Sequence, residues 1–133
     1  MKYLLKEQLP EIDDYLRLRR ESGLSQRTET AAKRGLPNSI YSVIVETGIH
    51  EIVGMGRIIG DGGCCFVICD IAVLPEHQGN GLGRLIMEKI MDFIHKNAPS
   101  SAYVDLIADV PEFYEKFGFK RCAPEAEGMY IRI

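Results

Sequence analysis

The stretch from Cys64 to Leu74 carries one charge, Asp70, is rich in Val, Ile and Cys, and leads through Pro75 into Gln78-Gly79-Asn80-Gly81-Leu82-Gly83. Beyond the glycines, Leu82, Leu85, Ile86, Ile90, Phe93 and Ile94 recur at helical spacing, while Arg84, Glu88, Lys89, Asp92, His95 and Lys96 take the other face. The pattern predicts a mostly buried strand, a glycine loop and an amphipathic helix. A strand buried on both sides needs covering layers, so the chain is constrained to a sheet flanked by helices.

The loop also constrains chemistry. A phosphate reaches the unpaired N–H groups of a helix's first turn only where no Cβ stands in the way, and some of those amides need φ above zero. Gly79, Gly81 and Gly83 remove three side chains, and the helix N-terminus adds about half a positive charge, which Arg84 supplements. A P-loop needs Lys and then Ser or Thr after its last glycine, but Gly83 is followed by Arg84 and Leu85. A dinucleotide fingerprint needs glycines at spacings of two and then three, and the third place falls on Arg84 or Ile86. Both better-known phosphate loops are excluded.

The motif from Gln78 to Gly83 resembles the acetyl-CoA loop of the GNAT superfamily of N-acetyltransferases: Gln or Arg, two residues, Gly, one residue, Gly or Ala. Ile71-Ala72-Val73-Leu74-Pro75-Glu76 is similar to the end of that family's fourth strand. A second block, Asp109-Val110-Pro111-Glu112-Phe113-Tyr114-Glu115-Lys116-Phe117-Gly118-Phe119, resembles the short helix after its fifth strand, with a Tyr ahead of a Gly-Phe. Two blocks in the right order are far more specific than either alone. The resemblance implies an α/β (α+β) fold: a mostly antiparallel twisted sheet, splayed between the fourth and fifth strands at a bulge near Asp70 and Ile71, and flanked by about four helices.

Length and charge bound the alternatives. At 133 residues the chain is expected to be one domain, residues 1–133, with a real core. Net charge is −3 with both signs interspersed, which leaves no basic footprint for nucleic acid and no basic stripe for a membrane. No apolar stretch is long enough for a signal peptide or a membrane span, so a cytoplasmic protein with a small partner is expected, and a homodimer stays open. Cys64, Cys65, Cys69 and Cys122 form no C-x-x-C pair, and the histidines are not clustered, so no metal site is expected. The cysteines read as small buried hydrophobes in a reduced compartment, with a redox role for Cys69 left open.

The remaining elements follow from local signals. Lys2 to Lys6 reads as a first strand, and Pro10 opens a helix that carries Ile12, Leu16, Arg19 and Arg20 and ends at Gly23. Leu24 to Gly35 reads as a second helix. Ser39 to Glu46 and Glu51 to Ile59 form a hairpin around Thr47-Gly48, and Asp61-Gly62-Gly63 is the next turn. Ser101 to Ala108 reads as the fifth strand, Pro111 opens the helix of Tyr114, and Phe119 to Cys122 with Gly128 to Ile133 are expected as two final strands.

The resemblance implies direct attack of a primary amine on the acetyl-CoA thioester, through a tetrahedral oxyanion, with the CoA thiolate leaving. Its cofactor contacts fall on Ile71, Ala72 and Val73 of the strand, on Gln78, Gly79, Asn80, Gly81, Leu82, Gly83 and Arg84 of the loop, and on Asp109 and Tyr114. Asp109 stands where many relatives carry an Asn; an ionised Asp can only accept hydrogen bonds. The N–H of Ile71 is the expected oxyanion donor and Tyr114 the general acid for the sulfur, since a phenol with pKa about 10 stays protonated at pH 7. Without the resemblance, Tyr114 reads as one more half-buried aromatic beside Phe113 and Phe117. For the general base the candidates are Asp70, the weaker Tyr103 and Asp105, or a water relay. His77 is read as loop-shaping or solvent-facing, His50 as part of a hairpin turn, and Lys116 as solvated. The acceptor is a small-molecule amine or a peptide. The alternatives are a catalytically inactive CoA-binding sensor and a generic nucleotide-phosphate binder.

Overall fold

Strand β4 (Cys65–Val73) forms the hinge of the architecture, because its two halves have different neighbours. The computed structural model describes residues 2–133. A hairpin of β2 (Tyr41–Thr47) and β3 (Ile52–Gly60) lies beside it, with β1 (Tyr3–Lys6) at one edge and β5 (Tyr103–Asp105) at the other. The strands follow chain order across the sheet. All neighbours are antiparallel except β4 and β5, which run parallel.

Between β3 and β4 the register slips: Met55 pairs with Ala72, but Arg57 pairs with Cys69. Asp70 and Ile71 together therefore oppose Gly56, and Asp70 takes a left-handed φ of 57°. This is the expected bulge, with one extra residue and a local bend. The bend carries the strand away from β5, whose pairing with β4 covers only Cys65, Phe66 and Val67. From Ile68 onward the β5-facing edge of β4 is unpaired, which is the splay the resemblance implies.

Helix α3 (Leu82–Asn97) crosses one face of the sheet and buries Leu82, Ile86, Met87, Ile90 and Ile94, while Leu85 of the predicted stripe is largely exposed. Each buried aliphatic side chain contributes about 1.5–3 kcal/mol. The approach is close at the bulge. A Cβ on Gly56 would lie 2.6 Å from Ile86, 2.7 Å from Ile71 and 3.0 Å from Ile90, so only glycine fits there. Helix α1 (Ile12–Glu21) covers the other face against β3 and β4, next to α2 (Glu29–Gly35). Helix α4 (Pro111–Glu115) completes the set. Among the described residues no helix is long and apolar enough to cross a membrane.

Several expectations need correction. The second helix starts at Glu29 rather than Leu24, because extended Thr28 caps it, its hydroxyl accepting from the Ala31 N–H at 3.1 Å. Strand β5 spans Tyr103–Asp105 rather than Ser101 to Ala108, since β4 has already turned away. The two final strands are not formed: residues 119–133 contain no strand, and Met129, Tyr130, Ile131 and Ile133 are exposed. A three-residue β5 offers too short an edge to template them. Cys64, Cys65 and Cys122 are exposed, not buried. Only Cys69 is sheltered; burial, and then the Asp70 charge, push its thiol up to about 12, so it stays protonated and unreactive at neutral pH.

Candidate active site

The unpaired edge of β4 runs directly into the glycine loop. Gln78 donates from Nε2 to the Val73 carbonyl at 3.0 Å, fixing the exit of the strand. Asn80 donates to the His77 carbonyl at 3.0 Å, and the His77 Nδ1 lies 2.9 Å from the Tyr3 hydroxyl. His77 is buried and shapes the loop, one of its two expected roles. Gly79 and Gly81 take φ of 82° and 75°, with open space where their Cβ atoms would stand. Gly81 is the N-cap of α3 and no side chain caps the helix, so its first-turn amides are left without a side-chain partner.

The second sequence block meets the first at this point. Phe113 of α4 lies 3.6 Å from the position of a Cβ on Gly83, and a surface hollow between the helices is lined by Arg84, Glu88, Phe113, Lys116 and Phe117. Lys116, read from sequence as solvated, thus shares a concave surface with Arg84. The Arg84 guanidinium itself is turned along the helix to Glu88, at 2.9 Å. Asp109 is exposed on the bend before α4.

Tyr114 is 9% exposed and packs edge-on against Phe113 and Phe119. Burial first, and then the Asp109 charge, raise its pKa, so the phenol keeps its proton at neutral pH and has one to give.

Asp70 is occupied. Arg19 donates to its Oδ1, and Arg57 and Tyr15 donate to its Oδ2 at 2.5 and 3.1 Å. The side chains of Asp70, Arg19 and Arg57 are 6%, 6% and 14% exposed. The Tyr15 pKa is raised by burial and then by the Asp70 charge, so the ring remains a donor. Burial opposes the Arg57 charge, but the bond and charge of Asp70 outweigh it and its pKa is raised. Both carboxylate oxygens are engaged by α1 and β3, which they hold to the bulge, so the geometry favours a structural role over the base role expected for this residue.

Of the other base candidates, Tyr103 and Asp105 are exposed on β5 and line the same broad hollow as Tyr114. His50 is exposed in the hairpin turn, as expected, beside Glu46.

A family model for the acetyltransferase (GNAT) domain matches residues 15–133. The chain belongs to the GNAT family. A Staphylococcus aureus protein of unknown function, described as a probable acetyltransferase, is 44% identical. It superposes with a TM-score of 0.93 over 99% of this chain and 100% of that one. The GNAT family N-acetyltransferase YhbS of Escherichia coli, solved with CoA, is 19% identical with a TM-score of 0.69, over 90% of this chain and 69% of that one. At that identity it shows a shared GNAT fold alone. Among curated relatives, an uncharacterised N-acetyltransferase of Pyropia yezoensis is 29% identical, over 81% of this chain and 64% of its own length. The chloroplastic serotonin N-acetyltransferase 2 of rice is 28% identical, over 80% of this chain and 55% of its own length. The chain spans less than two thirds of the length of these two relatives.

Within this GNAT chain, sequence reasoning missed the roles of Tyr15, Arg19 and Arg57. A signal existed: Ile12, Tyr15 and Arg19 fall on one stripe of α1, and an arginine on an apolar stripe calls for a buried acid.

Proposed function

We propose that the protein is an acetyl-CoA-dependent N-acetyltransferase acting on a primary amine of a small molecule or peptide. The observation that carries this reading is the free edge of β4 from Ile68 to Val73, opened by the bulge and continuous with the uncapped, side-chain-free amides at the start of α3. That pairing of a strand edge with an anion cradle fits a ligand that is peptide-like at one end and a pyrophosphate at the other. Acetyl-CoA supplies the acetyl group as an activated thioester.

The chain's own residues then have distinct tasks. The backbone of Ile71, Ala72 and Val73 holds the pantetheine arm as an added strand, and the amides from Gly79 to Arg84 hold the pyrophosphate. Gln78 and Asn80 keep the loop in shape, Leu82 anchors it in the core, and Asp109 lies beside Tyr114. The Ile71 N–H, fixed at the bulge, donates to the carbonyl oxygen as charge develops there. Tyr114 donates its proton toward the departing sulfur. With Asp70 engaged by two arginines, water removes the proton from the attacking amine.

The test is release of free thiol from acetyl-CoA across a panel of primary amines, with product amide measured in parallel. Amine-dependent thiol release matched by amide supports the reading. Tight CoA binding with no release across the panel overturns it in favour of the inactive CoA-binding module, and equal affinity for ATP and CoA would favour a generic phosphate binder.

A further inference from the structure

The buried charges behind the bulge do not balance. Asp70 contributes one negative charge and is bonded by two guanidiniums, those of Arg19 and Arg57, while its other neighbours, Tyr15 and Cys69, are held in their neutral forms. The Arg57 Nη1 goes on to the Ser39 hydroxyl at 3.1 Å, which carries no charge. One positive charge is therefore left over in a buried cluster. An uncompensated charge in such a place is costly and calls for a counterion.

The excess grows toward the α1–α2 loop. Arg19, 5% exposed, donates from Nε to the Ser25 carbonyl at 2.8 Å and from Nη2 to the Ser25 hydroxyl at 3.0 Å. The same hydroxyl receives Arg27 Nη1 at 2.8 Å and Arg132 Nη1, from the C-terminal segment, at 3.0 Å. Arg27 and Arg132 are exposed and form no salt bridge among the described residues, and Ser25 offers only two lone pairs to three guanidiniums. Donors are thus left over as well as charge. Ser25 stands one guanidinium away from Asp70, and Asp70 precedes Ile71, the proposed oxyanion donor.

We propose that Arg27 and Arg132, gathered on Ser25 beside the buried Arg19, bind the carboxylate or phosphate of an acceptor whose amino group reaches the β4 bulge. The assignment rests on the acetyltransferase reading for the direction of the amine, and it narrows the acceptor class to amines that carry an anionic group. Planar guanidinium forks suit both oxyanions, and two of them reach the site from segments distant in sequence, the α1–α2 loop and the chain end.

The test uses matched pairs titrated calorimetrically into CoA-loaded protein, with a spacer long enough to pass the Arg19 guanidinium: ε-aminocaproate against ε-aminocaproamide for the carboxylate, and aminohexyl phosphate against aminohexanol for the phosphate. In at least one pair the anionic member is expected to bind about ten-fold or more tighter than its neutral twin. Arg27→Gln/Arg132→Gln should abolish most of that preference; its CoA affinity and thermal midpoint report whether it folds. Neutral twins that bind as tightly in both pairs, or a preference that survives in the folded double variant, overturn the proposal, and the wild-type comparison decides even if the variant fails to fold. Thiol release separates the two claims. Equal turnover of neutral and anionic amines leaves acetyl transfer standing and removes the anion site. An anionic binding preference with no thiol release from any amine supports the anion site and removes acetyl transfer.

Discussion

Replacing Tyr114 by Phe is expected to lower turnover by about 10²- to 10⁴-fold, the range of a lost proton-transfer catalyst, with acetyl-CoA binding retained. The ring is part of the core, 9% exposed and held edge-on by Phe113 and Phe119, and phenylalanine keeps that packing. Only the hydroxyl is removed. Its pKa is raised by burial and by Asp109, so it remains a proton donor across the neutral range. Steady-state kinetics with saturating amine, together with a direct CoA-binding titration, separates the effects. Unchanged turnover would make Tyr114 a packing residue, and lost CoA binding would place its effect in the cofactor cleft instead of the chemical step.

Asp70→Asn is expected to destabilise the fold by about 3–5 kcal/mol, the cost of breaking one side of a buried ion pair. Asparagine accepts the left-handed backbone that Asp70 adopts, so the substitution isolates the charge. It leaves the guanidiniums of Arg19 and Arg57 facing each other with no acid between them. Urea unfolding measures the loss. Adding Arg57→Met to Asp70→Asn should recover part of it by removing one uncompensated cation. If Asp70→Asn unfolds at the wild-type urea midpoint yet loses turnover, the carboxylate is a base after all and not the clasp between α1, β3 and the bulge.

These two residues also mark how far the chain could be read from its sequence. Tyr114 and the loop from Gln78 to Gly83 belong to contiguous segments that carry the family resemblance implying their roles, and the structure brings them to adjoining helices through Gly83 and Phe113. The bulge at Asp70 was expected from the resemblance alone, since nothing in the composition of the strand shows an extra residue. What surrounds Asp70 was not, because Tyr15, Arg19 and Arg57 come from elements whose packing depends on side chains far apart in sequence. Phe119 to Cys122 and Gly128 to Ile133 have strand-like composition, but β5 offers them an edge of only three residues, and local propensity yields to that short neighbour. Cys64 and Cys65 look like core residues in a list of apolar letters. They sit where β4 emerges from its turn, beyond the cover of α3.

Acetyl-CoA, on the function proposed above, lies along the free edge of β4 and over the start of α3. Amide hydrogen exchange resolved to single residues, with and without CoA, tests this placement. Binding is expected to slow exchange at Ile71 and Val73 and across Gly79 to Arg84, and to leave the β1–β2 edge unchanged. Saturating CoA with no added protection at Ile71, Val73 or the loop amides would contradict it.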